Sequence, residues 1–152
     1  HTTFRQCTKH GINMDVLIDT NVIMNVITER DDPFKAASVR VMELCGSGAL
    51  NGYIAFHSLS TIWYVIRKAR SDKEARYLLE NVCKILKVAA ATQEQVMEAI
   101  ADTAFRDFED CLQDKCAQNV GAEYLVTCNV RDFRHAKTRA VTPDEVPDIL
   151  NV

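Results

Sequence analysis

The chain has 152 residues, of which 47% are hydrophobic and 26% charged, with a formal net charge of −3. These values describe one ordinary globular domain. They leave no stretch near the roughly 20 apolar residues that a membrane-spanning helix needs, and no basic excess of the kind a sequence-independent DNA-packaging protein carries.

Residues 1–13 are polar, include His1, Arg5, Lys9 and His10, and show neither a hydrophobic period nor the apolar run of a secretory signal. Met14 reads as the natural start, with 1–13 as an expression remnant or upstream extension and 14–152 as a single domain. The six cysteines, Cys7, Cys45, Cys83, Cys111, Cys116 and Cys128, form no C-x-x-C pair and have no His at zinc spacing. Most fall in apolar patterns, so they read as reduced core residues of a cytoplasmic protein.

Val16-Leu17-Ile18 lies between Asp15 and Asp19 and reads as a buried central strand. Asp19-Thr20-Asn21 ends it, and Val22 to Thr28 reads as a helix. A helix over Phe34 to Cys45 puts Phe34, Ala37, Val41, Leu44 and Cys45 on one face, and Gly46-Ser47-Gly48 stops it. Tyr53 to Phe56 reads as a second strand. Ser58 to Arg70 follows as a helix burying Leu59, Ile62, Trp63 and Ile66. Ser71 with Glu74 predicts a capping box for a helix whose buried stripe is Ala75, Leu78, Leu79 and Val82.

A third strand is expected around Ile85 to Val88. Thr92 with Gln95 opens a helix to Ile100, and Asp107 to Val120 is a longer helix. Leu125-Val126-Thr127 and Ala140-Val141 complete the strands. Thr142-Pro143-Asp144-Glu145 has the Thr, Pro and Glu spacing of a helix start. Strands alternating with helices predict an α/β fold: three α/β/α layers around a parallel sheet.

Function in such a sheet sits at the carboxyl ends of the strands. Asp19 stands at the first of these ends, where it serves equally as a helix N-cap. In the long helix, Asp107, Asp110 and Asp114 fall on one face at about 100° per residue. Phe105, Phe108, Leu112 and Cys116 form an apolar stripe, and Glu109 points away from the acidic face. Three like charges on one face repel, which a cation would relieve. After a later strand, Thr127-Cys128-Asn129-Val130-Arg131-Asp132 offers Asn129 and Asp132 as further oxygen ligands, although both residue types are also common in turns. An oxygen-only set selects Mg²⁺ or Mn²⁺ over Zn²⁺, and such an ion suits phosphodiester cleavage.

At these residues the sequence resembles the PIN-domain nuclease family, which includes toxins of bacterial toxin–antitoxin pairs. The carriers are Met-Asp-Val-Leu-Ile-Asp19-Thr20-Asn21, the block Asp107-Phe-Glu-Asp110-Cys-Leu-Gln, and Tyr-Leu-Val-Thr127-Cys-Asn129-Val-Arg-Asp132-Phe133. The resemblance implies a sheet of four to five parallel strands, an acid cluster at its carboxyl edge, and divalent-metal-dependent cleavage of an RNA substrate. It further implies an antitoxin protein as partner and a homodimer formed through surface helices.

On this resemblance Asp19 is the first family acid and Asp110 the third, with Asp107 an extra ligand one turn earlier. Thr61 stands where the family has a Glu, and Asn129 where it has its fourth acid, with Asp132 as the substitute. The expected catalytic set is therefore Asp19, Asp110, Asp107 and Asp132, and the metal set adds Asn129. Those two replacements also motivate a second reading, a catalytically weakened PIN domain that binds RNA or protein.

Two basic groups, Arg67-Lys68-Arg70 and Arg131-Arg134-His135-Lys137-Arg139, serve either as solvated surface or as contacts to RNA phosphates. A dehalogenase-type phosphotransfer domain would need a second Asp two residues after Asp19, and position 21 is Asn. A dinucleotide-binding domain would need a glycine-rich turn after the first strand, which is missing.

Overall fold

A computed structural model describes residues 14–152; the expected tag or extension at 1–13, with Cys7, lies outside the described residues. Five strands run β1 (Met14–Ile18), β2 (Leu50–Ala55), β3 (Lys87–Ala89), β4 (Tyr124–Val126) and β5 (Arg139–Val141). Every pairing is parallel, in the order β3-β2-β1-β4-β5. The helices among the described residues are α1 (Thr20–Ile27), α2 (Lys35–Ser47), α3 (Phe56–Ala69), α4 (Asp72–Ile85), α5 (Gln93–Ala101), α6 (Phe108–Asn119) and α7 (Val146–Leu150), with 3-10 turns at Val130–Phe133 and Pro143–Glu145.

Alternation along β1 sets the three layers. Val16 and Ile18 join one core with residues of α1, α2, α3 and α4. Leu17 points to the other face and joins Ala99 of α5 and Cys111, Cys116 and Ala117 of α6. Successive strand side chains point to opposite faces, so a central strand with helices on both sides must be apolar at every position, and Val16, Leu17 and Ile18 are all buried.

Local signals place most boundaries. Gly48 closes α2 in the left-handed conformation, φ 88°, which glycine adopts without steric cost. Thr92 and Gln95 form the complete capping box of α5, and Thr142 with Glu145 forms another. Ser71 accepts from the Glu74 N–H at 3.1 Å, but the Glu74 carboxylate pairs with Arg70 instead of closing a box.

Three boundaries differ most from expectation. β2 begins at Leu50, before Tyr53, because Gly52 packs its backbone against Cys45 and Leu86. Phe56 opens α3 and is exposed, where it was expected to extend the strand. Ile85 still belongs to α4, which displaces β3 to Lys87–Ala89. Cys45, Cys83, Cys111, Cys116 and Cys128 are free thiols; Cys45, Cys111 and Cys116 are buried and Cys83 is exposed. No helix of the described residues is long and apolar enough to cross a membrane.

The chain runs outward from β1 to β2 and β3, then returns to place β4 on the other side of β1. The crevice at the carboxyl ends of β1 and β4 is thus the topological switch point, where open parallel sheets hold their ligands.

Candidate metal centre

Asp19 leaves β1 at that crevice and caps α1, its Oδ1 accepting the Thr20 N–H at 2.8 Å. Its Oδ2 accepts the Thr127 hydroxyl, at the end of β4, at 2.9 Å. Cap and candidate ligand are compatible roles, since each carboxylate oxygen retains a second lone pair. Asp19 is only 5% exposed. Burial raises its pKa from 3.8 to about 6; the Thr127 hydroxyl opposes the shift and the charge of Glu109 adds to it.

The second contribution comes from the start of α6. Asp107 is its N-cap, with Oδ1 accepting the N–H groups of Glu109 at 2.8 Å and Asp110 at 3.3 Å. Gln113, one turn on, is fully buried. Its Nε2 lies 3.1 Å from Thr20 Oγ1, 2.8 Å from Ser58 Oγ and 2.7 Å from Glu109 Oε2. This amide pins α6 against the starts of α1 and α3. Glu109 and Asp110 lie about 100° apart on the helix and bracket the direction of Gln113, so both turn toward Asp19. Carboxylate oxygens of Asp19, Glu109 and Asp110 all lie within 4.8 Å of one another.

Glu109 was expected to point away from the acidic face, and the structure reverses that. The face was drawn through Asp107, Asp110 and Asp114, but two of these three do other work. Asp107 precedes the helix with extended backbone, φ −113° and ψ 120°, so helical spacing does not apply to it. Asp114 is 2% exposed, and accepts the N–H of Thr138 at 3.0 Å, that of Lys137 at 3.0 Å and the Gln118 amide at 2.9 Å. It anchors the segment entering β5. Phe108, expected on the buried stripe, is half exposed.

His57, in the first turn of α3, places Nε2 2.9 Å from Glu109 Oε2. Burial alone would lower the His57 pKa, but contacts with Cys116 and Glu109 more than reverse this and lift it to about 9. Glu109 is held below its ordinary value: its burial works upward, and the His57 and Gln113 hydrogen bonds overcome it. Asp110 has no such partner. Burial first, then the charges of Asp19, Asp107, Glu109 and Asp132, raise its pKa from 3.8 to about 8.

The remaining expected site residues lie to one side. Asp107 and Asp132 are exposed and, with Asp110, line an adjoining cavity of about 280 Å³. Asn129 is exposed, and its N–H donates to Thr127 Oγ1 at 3.0 Å. Thr61 is exposed on α3 and donates to the His57 carbonyl at 3.4 Å. The α3 side chain that reaches the cluster is therefore His57. Sequence reasoning passed over Gln113; its signal was a polar residue at helical spacing from Glu109.

The donor set fits a hard divalent cation: three carboxylates converge, and two have pKa values raised by burial first and by neighbouring carboxylates second.

Residues 15–131 match the family model described as PIN domain. The chain belongs to the PIN-domain family. The matched span contains Asp19, Glu109, Asp110 and Asn129, and Asp132 lies just beyond it. The PIN domain's fold is also that of several solved structures. A DNA-bound VapBC from Salmonella typhimurium is 19% identical with TM-score 0.66, covering 86% of this chain and 98% of that one. VapBC2 from Rickettsia felis, bound to a DNA fragment from its promoter, is 17% identical with TM-score 0.64, covering 85% and 98%. VapC20 of Mycobacterium tuberculosis, described as a Sarcin-Ricin loop cleaving toxin, is 13% identical with TM-score 0.57, covering 72% and 86%. No curated protein matches the sequence.

Proposed function

We propose that this PIN domain is a divalent-metal-dependent endoribonuclease, acting as the toxin of a toxin–antitoxin pair. The observation that carries the proposal is the convergence of Asp19, Glu109 and Asp110 at the switch point of the sheet. The toxin role draws on the structural likeness to VapBC complexes and to a described toxin, and implies an antitoxin protein as partner.

Asp19, Glu109 and Asp110 would hold Mg²⁺ or Mn²⁺, with Asp107, Asp132 and Asn129 as outer support. When bound, the ion neutralises charge on the scissile phosphate and acidifies water for attack. The protein's part is preorganisation. Thr20 and Thr127 fix both oxygens of Asp19, while His57 and Gln113 fix Glu109 in its ionised form. Asp110, whose pKa burial and neighbouring carboxylates raise to about 8, would be held ionised by a bound cation.

The alternative binding-module reading rested on Thr61 and Asn129 in place of acids. Glu109 supplies the third carboxylate that reading lacked. Cleavage of RNA with Mn²⁺, compared between the parent, Asp19→Asn and Asp110→Asn, tests the proposal. Loss of cutting in both variants, and in the parent with chelator, is the expected result; equal cutting in all three eliminates the assignment.

A further inference from the structure

The acid cluster leaves unused the arginines beside it. Arg106, just before α6, and Arg131 and Arg134, in and after the turn that follows β4, line one cavity of about 280 Å³. Asp110 belongs to both the cavity wall and the acid cluster, so an occupant of the cavity lies against the proposed metal centre. Among the described residues the ion pairs include none of these three arginines. Other arginines are engaged: Arg67 stacks on Trp63, Arg139 on Tyr124, and Arg30 bonds to Asn25. Three arginines from two distant segments therefore line one cavity outside the ion pairs of the described residues, although carboxylates stand on the same wall.

We propose that this cavity is the subsite for a nucleotide flanking the scissile phosphate, its phosphodiester group held by Arg131 and Arg134 with Arg106 in support. The inference rests on the nuclease reading. A planar guanidinium takes two phosphate oxygens at once. The cavity, just under the usual size range for ligand sites, suits a single small unit of a longer chain.

The test measures binding of a short single-stranded oligoribonucleotide in EDTA as salt is varied, then cleavage with Mn²⁺. The parent is compared with Arg131→Gln/Arg134→Gln, Arg106→Gln, and Arg40→Gln, a surface variant outside the cavity. The double variant binds roughly tenfold more weakly, and its salt dependence is flatter by about 0.7 in log–log slope for each lost phosphate contact. Its KM rises while kcat and Mn²⁺ affinity hold, and Arg40→Gln matches the parent. Parent-like affinity, slope and KM in the arginine variants overturn the subsite while leaving the nuclease reading intact. A parent that binds through these arginines yet never cuts keeps the subsite as a nucleic-acid contact and removes the nuclease reading.

Discussion

The Thr127 hydroxyl donates to Asp19 Oδ2 at 2.9 Å and accepts the N–H of Asn129 at 3.0 Å. One side chain thus ties the carboxyl end of β1 to the loop that follows β4. It holds a buried carboxylate in its charged form against a burial penalty that pushes the other way.

Thr127→Val therefore raises the Asp19 pKa further and weakens Mn²⁺ binding by about tenfold, the effect of losing one hydrogen bond to a charged group. The pH at which cleavage reaches half its maximum moves upward. Thr127→Ser keeps the donor and restores both properties. Calorimetry and a pH–rate profile provide the check.

The raised pKa values of Asp19 and Asp110 also govern stability. A carboxyl whose pKa is higher in the folded state binds its proton more tightly there, so its contribution is complete below the unfolded value and lost as pH rises through the folded one. For Asp19, from 3.8 to about 6, that loss is about 3 kcal/mol. Asp110 extends it toward pH 8. Glu109, held low, gains stability as pH rises through its ordinary range and so opposes the two aspartates only at the acid end, while His57, raised to about 9, loses stability with them above its ordinary value. The melting temperature of the chelated protein falls between pH 4 and pH 8, and saturating Mn²⁺ restores more of it at the upper end.

Two acids of one helix behave oppositely on neutralisation. Asp110→Asn removes a repelled charge, so it stabilises the metal-free protein at pH 8 while abolishing cleavage. Asp114→Ala strips partners from two backbone N–H groups and costs about 2–4 kcal/mol. Urea unfolding of both variants in EDTA measures the contrast.

Gly52 has no room for a side chain. A Cβ there would lie 2.6 Å from Cys45 Sγ and 2.6 Å from Leu86 Cδ2. Gly52→Ala costs about 1–3 kcal/mol by overpacking, and Cys45→Ala in the same chain recovers part of it. Denaturant midpoints of the single and double variants decide.

The fold was legible where one periodicity or one cap sufficed: the apolar run 16–18, the Thr92–Gln95 and Thr142–Glu145 boxes, and the Gly48 stop. Asp19 and Asp110 were legible as candidates because a strand end and an acid-rich helix start are local features. Glu109 was not. Its direction depends on Gln113 reaching Thr20 and Ser58, a contact between three distant segments that helical spacing alone does not encode. Asp114 misled for the converse reason, since its ligands are the N–H groups of Lys137 and Thr138 and not a cation. Leu50 and Gly52 were missed as strand because alternation was sought in side chains, and Gly52 fits by having none.

The central claim is that Asp19, Glu109 and Asp110 share one cation. Anomalous diffraction from crystals soaked in Mn²⁺ tests it most directly. The account predicts a manganese peak bounded by these three carboxylates, absent in Asp110→Asn crystals. Saturating Mn²⁺ with no peak there, or a peak whose ligands exclude Asp19 and Asp110, would contradict it.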